Sequence, residues 1–280
     1  MYKNDNQHDD YLSNTSNICN TNNTSNTNNT NTIRMKKVIA ISNHKGGVGK
    51  TTSTLNIGAG IALKGKKVLL IDLDPQSNLT QCLGITDIDK SIYGALRGDH
   101  DLPIMKITEN LHLVPSILDL ASIEVELASK FAREVILKKL VDKVKDSYDY
   151  VFIDCPPSLG LITVNAFTAA DEVYIPLQAQ FLALHGLDKL TDIISMVKEN
   201  LNQNLSIGGV FITQYDNRKI LNRDIAESVN NHFEGKIFKT VIRDNIALAE
   251  APVQGKDIFS YDPKSNGAKD YESLISEILN

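Results

Sequence analysis

The sequence is poor in cysteine, in long apolar runs and in positive charge. Its three cysteines are far apart and show no metal-ligand spacing, which excludes a disulfide framework or a zinc site and favours a reducing cytoplasm. No apolar stretch approaches the roughly 20 residues of a membrane helix, and the N-terminus lacks the basic and apolar regions of a secretory signal. The net charge of −5 argues against wholesale electrostatic wrapping of nucleic acid, although a local basic patch is compatible with it.

The N-terminal segment differs in composition from the rest of the chain. Residues 14–32 are almost entirely Asn, Thr and Ser, and such a segment has too little apolar surface to offset the entropy of ordering it. We therefore expect residues 1–34 to be a disordered tail and residues 35–280 to form one folded domain. Met35 stands directly before a strand-like run, so an alternative is that translation starts there.

From residue 36 onward, short apolar runs alternate with longer helix-like stretches. The runs are continuous and rich in β-branched residues, as buried strands are, and they cover residues 38–41, 68–71, 150–153, 173–175 and 210–212. The helix-like stretches cover residues 51–63, 120–145, 184–198 and 221–233. This alternation predicts βαβ units in an α/β fold, with a single doubly wound, mostly parallel sheet and helices on both faces.

A glycine-rich loop lies between the first predicted strand and the first predicted helix, which is where phosphate-binding loops occur. Its residues are Lys45, Gly46, Gly47, Val48, Gly49, Lys50, Thr51 and Thr52. Glycines let backbone N–H groups approach phosphate oxygens, and the positive end of the following helix adds to the attraction. In a P-loop nucleotide hydrolase, Lys50 reaches the β- and γ-phosphates and the Thr51 hydroxyl binds Mg²⁺. The alternative is a glycine turn that only connects strand to helix.

Aspartates follow two further predicted strands. Asp72 and Asp74 end the second strand, lie on the same side of it by period-two alternation, and precede the strand-stopping Pro75. Asp154 follows four apolar residues of the third strand, the pattern of a Walker B carboxylate that holds Mg²⁺. Because ligands bind at the carboxyl ends of parallel strands, we expect these carboxylates to face the cleft of the phosphate loop. An alternative for one member of the Asp72–Asp74 pair is to cap the next helix.

These motifs resemble those of the ParA/Soj family of DNA-partitioning ATPases, within the ParA/MinD group that has a deviant Walker A loop. The resemblance covers residues 35–280 and rests on residues 45–52, 72–76, 154–160, 250–252 and 261–268. It implies ATP and Mg²⁺ as cofactors, with Asp72 near the metal and Asp74 preparing the attacking water. It also implies that Lys45 crosses a dimer interface to the nucleotide of the partner subunit. Lys45, Lys50 and Asp74 are thus the expected catalytic residues.

The resemblance further implies partners and a location. An ATP-bound sandwich homodimer binds nonspecific DNA of the nucleoid, and a ParB-like centromere-binding protein stimulates hydrolysis, which drives segregation of a chromosome or plasmid. Basic residues late in the chain are the candidate DNA contacts, namely Arg218, Lys219, Arg223 and Arg243. Ala247 stands where relatives often have another DNA-binding arginine, and Asp244 adds a negative charge nearby. Asn245 is a candidate cofactor-binding residue in the wall of the base pocket.

Three other functions are compatible with such a loop. A MinD-like division switch needs a basic amphipathic C-terminal helix, whereas residues 270–280 are acidic and their apolar positions indicate a helix that packs on the domain, so no membrane partner is expected. A reductase like nitrogenase iron protein needs paired cysteines. Cys82 and Cys155 do not supply that pattern, and we expect Cys155 to be a buried structural cysteine. An ATP-gated regulator of replication initiation or transcription stays open as the alternative.

Overall fold

The computed structural model describes residues 36–179, 187–216, 218–219, 229, 233 and 235–280. Segment 1–34, Met35 and most of the predicted helix 221–233 lie outside these residues. The division into a tail and one domain therefore stays a prediction.

One sheet of eight strands organises the described residues. In chain order the strands are β1 (Lys37–Ile41), β2 (Val68–Asp72), β3 (Met105–Lys106), β4 (Leu111–Val114), β5 (Tyr150–Asp154), β6 (Glu172–Gln178), β7 (Ser206–Tyr215) and β8 (Ile237–Arg243). They lie in the order β3-β4-β2-β5-β1-β6-β7-β8, and every neighbouring pair is parallel except β3 with β4. The chain leaves β1 towards β2 on one side and later crosses to β6 on the other, so a crevice opens at the carboxyl end of β1.

The inner strands are buried on both faces. Along β2 the side chains alternate between two hydrophobic cores, with Leu69 and Ile71 in one core and Val68 and Leu70 in the other. These four side chains are 0% exposed, and burying one such side chain contributes about 1.5–3 kcal/mol. The continuous apolar run of the strand therefore reflects burial on two sides, which confirms the predicted doubly wound α/β fold.

Helices connect the strands and cover the sheet. They are α1 (Lys50–Leu63), α2 (Asn78–Cys82), α3 (Ile92–Arg97), α4 (Ile123–Glu126), α5 (Ile136–Asp142), α6 (Leu161–Ala169), α7 (Leu187–Asn200), α8 (Ala247–Glu250), α9 (Ile258–Tyr261) and α10 (Asn266–Leu279). Helix α1 packs closely on β2 because Gly58 has no side chain: a Cβ there would lie 2.5 Å from Leu70 Cδ2. The predicted C-terminal helix is confirmed as α10, which buries Tyr271 and Leu274 in the core beside α1.

The prediction of one helix over residues 120–145 is wrong. The structure divides this stretch into α4, α5 and 3₁₀ segments at Leu118–Ser122, Arg133–Val135 and Lys145–Ser147. Ala132 has a left-handed φ of 53°, which interrupts the helix. Asn165 in α6 accepts a hydrogen bond from the Leu137 amide (3.1 Å) and donates one to the Arg133 carbonyl (2.9 Å). These tertiary bonds stabilise a turn where periodicity alone predicts a continuous helix.

The five predicted strands are confirmed as β1, β2, β5, β6 and β7, whereas β3, β4 and β8 carry no prediction. The three unpredicted strands lie at the two edges of the sheet. The edge strands β3 and β8 are partly exposed, and β4, which lies between β3 and β2, has only four residues, so none of the three has the long continuous apolar run of an inner strand. The predicted helix 184–198 corresponds to Leu187–Asn200 in the described residues. Over those same residues, none of the helices is long and apolar enough to span a bilayer.

Candidate active site

The glycine-rich loop joins β1 to α1, as predicted, and its backbone needs glycine at two positions. Gly47 has φ of 74° and Gly49 has φ of 85°, a left-handed conformation that side chains disfavour. Gly46 and Gly47 are exposed, and a Cβ at either would meet nothing within 4 Å. Open space above such a backbone leaves room for a ligand close to its N–H groups.

Lys50 is the first residue of α1, and its side chain folds back over the residues that precede it in the loop. Its side chain is 7% exposed, and Nζ donates to the Lys45 carbonyl oxygen (3.0 Å). Burial lowers the pKa of Lys50, while the carboxylates of Asp154 and Asp74 act in the opposite direction. Gly49 stands at the N-cap of α1 and brings no side chain to the first-turn N–H groups. An ammonium group and a helix N-terminus therefore meet at one point, which is the chemistry of a phosphate site.

Asp154 presents an unsatisfied oxygen to this site. Its carboxylate is 0% exposed; Oδ1 accepts from the Thr54 hydroxyl (3.3 Å), and Oδ2 has no hydrogen-bond partner among the described residues. Burial, followed by the charge of Asp72, raises the pKa of Asp154 well above its usual range, against a smaller effect of a hydrogen bond from Thr51. A buried carboxylate with an unpaired oxygen is costly in free energy, and a bound cation would compensate its charge.

The donors at this point fit Mg²⁺. Carboxylate and hydroxyl oxygens from Asp154 and Thr51 are hard ligands of the type that Mg²⁺ prefers. In the described residues, no three acidic, histidine or cysteine side chains converge into a complete metal cage. Magnesium commonly completes its shell with phosphate oxygens and water, so an incomplete protein set matches a metal that arrives with a nucleotide.

The predicted metal residue Asp72 has a different set of partners. It is paired in register with Asp154 on β5, but Oδ1 accepts from the Asp74 N–H (3.2 Å). Oδ2 accepts from both the N–H (2.9 Å) and the hydroxyl (2.6 Å) of Thr80. Burial raises the pKa of Asp72 to about 6, and the Thr80 bonds oppose this rise. Both oxygens of Asp72 are thus engaged, one by the loop between β2 and α2, which presents Asp74, and the other by Thr80 of α2.

Two clefts meet at the phosphate loop. The first lies between the loop and the strand ends and is lined by Gly46, Gly47, Gly49, Lys50, Thr51, Thr52, Asp74, Gln76, Asn78, Cys82, Pro157 and Gln214. The second is lined by Gly49, Thr52, Thr213, Gln214, Ile242, Arg243, Asp244, Asn245, Leu248, Ala249 and Tyr271. They share Gly49, Thr52 and Gln214. The first cleft carries the charged side chains of Lys50 and Asp74, while Ile242, Leu248 and Tyr271 give the second the apolar walls that a planar base needs.

Sequence reasoning missed two residues of β7 that hold the phosphate loop. Thr213 donates its hydroxyl to the Val48 carbonyl (2.9 Å), and Gln214 donates its side-chain amide to the Gly47 carbonyl (2.7 Å). Neighbours in a strand point to opposite faces, yet both residues reach one loop because Gln214 has a left-handed φ of 51°. Gln178 donates to the Gln214 side-chain oxygen from the end of β6. A glutamine in this conformation gives no signal in the sequence.

The candidate DNA contacts lie in two different settings. Arg218 and Lys219 are exposed beyond the end of β7, where the Arg218 guanidinium pairs with Asp216 (2.9 Å). Arg243 is instead bound to the largely buried Asp270 of α10, through Nε (2.9 Å) and Nη2 (2.6 Å). Arg223 lies outside the described residues. Ala247, noted as a departure from the family pattern, is 7% exposed and packs in the core beside α10.

Comparison with known proteins assigns the family. A family model described as an AAA domain matches residues 36–207. The sporulation initiation inhibitor protein Soj of Bacillus subtilis (strain 168) is 48% identical over 249 residues, which cover 87% of this chain and 98% of that protein. The chain belongs to the ParA/Soj family. The chromosome-partitioning ATPase Soj of Treponema pallidum (strain Nichols) is 45% identical over 248 residues, with 88% and 98% of the two chains covered.

A solved structure supports the fold and the cofactors of this ParA/Soj protein. Cobyrinic acid a,c-diamide synthase of Mycobacterium smegmatis, crystallised with ADP and magnesium, has 35% sequence identity and a TM-score of 0.77, over 88% of this chain and 94% of that one. The resemblance inferred from the motifs, the P-loop fold and the assignment as an ATPase are confirmed. The ligands of that structure, an adenine nucleotide and magnesium, are of the kind that the resemblance to the ParA/Soj family implies.

Proposed function

We propose that this ParA/Soj protein hydrolyses ATP with Mg²⁺ in order to partition DNA, as a nucleotide-dependent dimer on the nucleoid. The observation that carries the proposal is the loop 45–52, which places Lys45 at its first position and Lys50 over its centre, next to Asp74. The chain matches 98% of the length of two Soj relatives, one of which is named for chromosome partitioning, and this supports DNA as the cargo.

The residues of the site divide the work of hydrolysis. The N–H groups of residues 46–52 and the Lys50 ammonium bind the phosphates, and Asn245 contributes to the wall beside the base. Thr51 and Asp154 hold Mg²⁺, which neutralises charge on the transferring phosphoryl group. Asp74, which is 6% exposed and lines the phosphate cleft, orients the attacking water.

Lys45 makes the site depend on a second subunit. A cation near the γ-phosphate stabilises charge that develops during hydrolysis, as an arginine finger does. Lys45 precedes the exposed Gly46 and Gly47 at the mouth of the phosphate cleft, so a second copy facing this edge would bring its own lysine to the nucleotide. ATP then bridges two protomers, and dimerisation requires it.

Arg218 and Lys219 are the described residues best suited to contact DNA. Both are exposed, and the Arg218 side chain is 86% accessible. Each guanidinium donates from two nitrogens to a carboxylate, but the Arg243 side chain is only 45% accessible and its partner Asp270 is largely buried, so Arg243 is less suited to reach phosphate. A few phosphate contacts per protomer give weak, salt-sensitive, sequence-independent affinity, which a dimer multiplies. A ParB-like protein that stimulates hydrolysis would then release the DNA.

A second candidate function is an ATP-gated regulator of replication initiation or transcription. It is favoured by the name of the Bacillus subtilis relative, a sporulation initiation inhibitor. A MinD-like division switch is less well supported, because Tyr271, Leu274 and Ile275 of the C-terminal helix are buried in the core rather than presented to lipid.

Lys45→Gln tests the dimer at the centre of the proposal. We expect this variant to bind ATP but to stay monomeric in light scattering, while the wild-type protein dimerises with ATP and not with ADP. Lys139→Gln, at an exposed lysine of α5, is the matched control and should dimerise normally. A normal ATP-dependent dimer of Lys45→Gln would contradict the role of this lysine across the interface.

A further inference from the structure

Three residues of one short stretch and a fourth from a distant part of the chain form a closed hydrogen-bonded ring beside the phosphate cleft. Asp72 accepts from the Asp74 N–H (3.2 Å) and from the Thr80 hydroxyl (2.6 Å). The Thr80 hydroxyl oxygen accepts from the Ser116 N–H (3.0 Å). The Ser116 hydroxyl donates to the Asp74 carbonyl (2.8 Å), which completes the circuit. We call Asp72, Asp74, Thr80 and Ser116 the polar ring.

The polar ring is buried and its bonds reinforce one another. Asp72, Thr80 and Ser116 are 0% exposed and Asp74 is 6% exposed. Hydrogen bonds in a low-dielectric interior are stronger than in water, and a fully satisfied network makes the surrounding backbone rigid. Both the N–H and the C=O of Asp74 are held by the ring, so the backbone that carries this carboxylate is fixed from two sides.

Asp72 and Asp154, which are paired in register across β2 and β5, differ in the number of hydrogen bonds that their carboxylates accept from the protein. Asp154 keeps one oxygen without a hydrogen-bond partner in the part of the chain that is described. Asp72, opposite it in register, accepts three hydrogen bonds from the protein. A carboxylate oxygen has two lone pairs, so these bonds do not block a metal outright, but they fix the orientation of the Asp72 carboxylate towards Thr80 and Asp74, and turning it to Mg²⁺ would break them.

We propose that Asp72, Thr80 and Ser116 are positioning residues that hold the Asp74 carboxylate in place for hydrolysis, and that Asp72 does so instead of ligating Mg²⁺. This rests on the proposed role of Asp74 in orienting water. The ring joins the β2–α2 loop and α2 to Ser116 at the exit of β4, and Ser116 is not among the residues that line the phosphate cleft.

Thr80→Val is the first test, because valine keeps the shape of threonine and removes only the hydroxyl. We expect kcat for ATP hydrolysis to fall on the order of 10- to 100-fold, the usual effect of a small misplacement of a catalytic group. The Kd for a fluorescent, non-hydrolysable ATP analogue with Mg²⁺ should change by less than about twofold, since uniform ground-state binding is untouched. Thr80→Ser, which restores the hydroxyl, should recover most of the activity.

Amide hydrogen exchange gives a readout that is independent of activity. In Thr80→Val, the Asp74 and Ser116 amides should lose protection, because the acceptors that hold them are lost or loosened. Thr168→Val is the matched control: its buried hydroxyl donates to the Val164 carbonyl (2.7 Å) within α6, away from the site. That control should lose stability without a change in kcat. Ser116→Ala opens the ring at another bond and replaces Thr80→Val if the latter does not fold.

Asp72→Asn separates positioning from metal ligation. We expect kcat to fall while the Mg²⁺ concentration for half-maximal binding of the ATP analogue rises by less than about tenfold, because a neighbouring charge is lost but the ligand set is intact. A tenfold rise in that concentration, with normal kcat at saturating Mg²⁺, would overturn the proposal in favour of direct ligation. Unchanged kcat in Thr80→Val would overturn it as well. If Asp74→Ala itself hydrolyses ATP normally, the proposed role of Asp74 fails, while exchange at Asp74 and Ser116 still tests the ring.

Discussion

The buried Asp154 carboxylate should lower the folding stability of the nucleotide-free protein although it is needed to bind Mg²⁺, and Asp154→Asn tests this. The wild-type carboxylate is fully buried next to Asp72, and one of its oxygens has no partner in the described residues. Asparagine has nearly the same shape and no charge, so the substitution removes the cost of burying the carboxylate without opening a cavity. We expect the nucleotide-free variant to be more stable than the wild type and to bind Mg²⁺ with ATP less tightly.

The size of the gain follows from the spacing of the strands. Neighbouring strands lie about 4.8 Å apart, and two unit charges at that distance repel by about 3 kcal/mol at an effective dielectric constant near 20. Loss of charge-assisted bonds from the threonines of α1 offsets part of this relief. A net gain of about 2 kcal/mol raises Tm by roughly 4–8 °C in a domain of this size.

The stability that Asp154→Asn gains over the wild type should increase with pH. Because burial and Asp72 raise the pKa of Asp154 in the folded chain, the folded state holds the proton more tightly than the unfolded state. Wild-type stability is therefore lost as pH rises from the unfolded pKa of about 3.9 towards the folded value. The advantage of Asp154→Asn should be large at pH 8 and small near pH 4.5.

Thermal unfolding in EDTA at these two pH values, followed by circular dichroism, measures the effect. Addition of Mg²⁺ and ATP should reverse the order at pH 8, because only the wild type gains the full binding energy. Asp149→Asn is a control, since the Asp149 carboxylate already accepts from the Lys67 amide (2.8 Å) at the other end of the sheet; it should gain no stability. A lower Tm of nucleotide-free Asp154→Asn at pH 8 would refute the reasoning.

Three further substitutions probe the loop and the basic residues. Lys50→Ala should weaken ATP binding by at least about 100-fold, because a charge-assisted contact to phosphate is lost, and calorimetry that finds tight binding refutes this role. Gln214→Gly relieves the left-handed backbone but also removes the side-chain bonds to Gly47 and Gln178, so the nucleotide-free Tm should change by less than about 2 °C. The substitution should raise the ATP Kd about 3- to 10-fold, because the bond to Gly47 is lost; an unchanged Kd speaks against loop holding. Arg218→Glu should weaken DNA retention and reduce its salt dependence, with Lys139→Glu as control and the dimer unaffected. Equal retention by both variants would remove Arg218 from the DNA surface.

Motifs that depend on neighbouring residues could be predicted from the sequence. The loop 45–52 folds between one strand and the next helix, so its glycines, Lys50 and Thr51 are local in sequence. Asp154 ends an inner strand whose two-sided burial makes it a continuous apolar run. The edge strands and the interrupted stretch after residue 118 could not be predicted in this way, because exposure or tertiary bonds from Asn165 decide their conformation.

Long-range polar contacts account for most of what the sequence leaves open at the site. Ser116 is 36 residues from Thr80 and 42 from Asp74, and only the order of the strands brings them together. The motif suggests a metal role for Asp72, whereas the partners of its two oxygens depend on how the β2–α2 loop folds back. Arg243 likewise carries a charge that suggests DNA, while Asp270 of the C-terminal helix engages it.

DNA retention by Asp74→Ala is the most direct test of DNA partitioning. This variant should bind ATP and dimerise without turnover, so it traps the state proposed to hold DNA. Retention on nonspecific duplex DNA is measured with ATP, with ADP and without nucleotide, across a salt series. We expect retention only with ATP, falling steeply as salt rises. A dimer that forms with ATP but ignores DNA at low salt would contradict the partitioning function and favour a partner-gated regulator on the same fold.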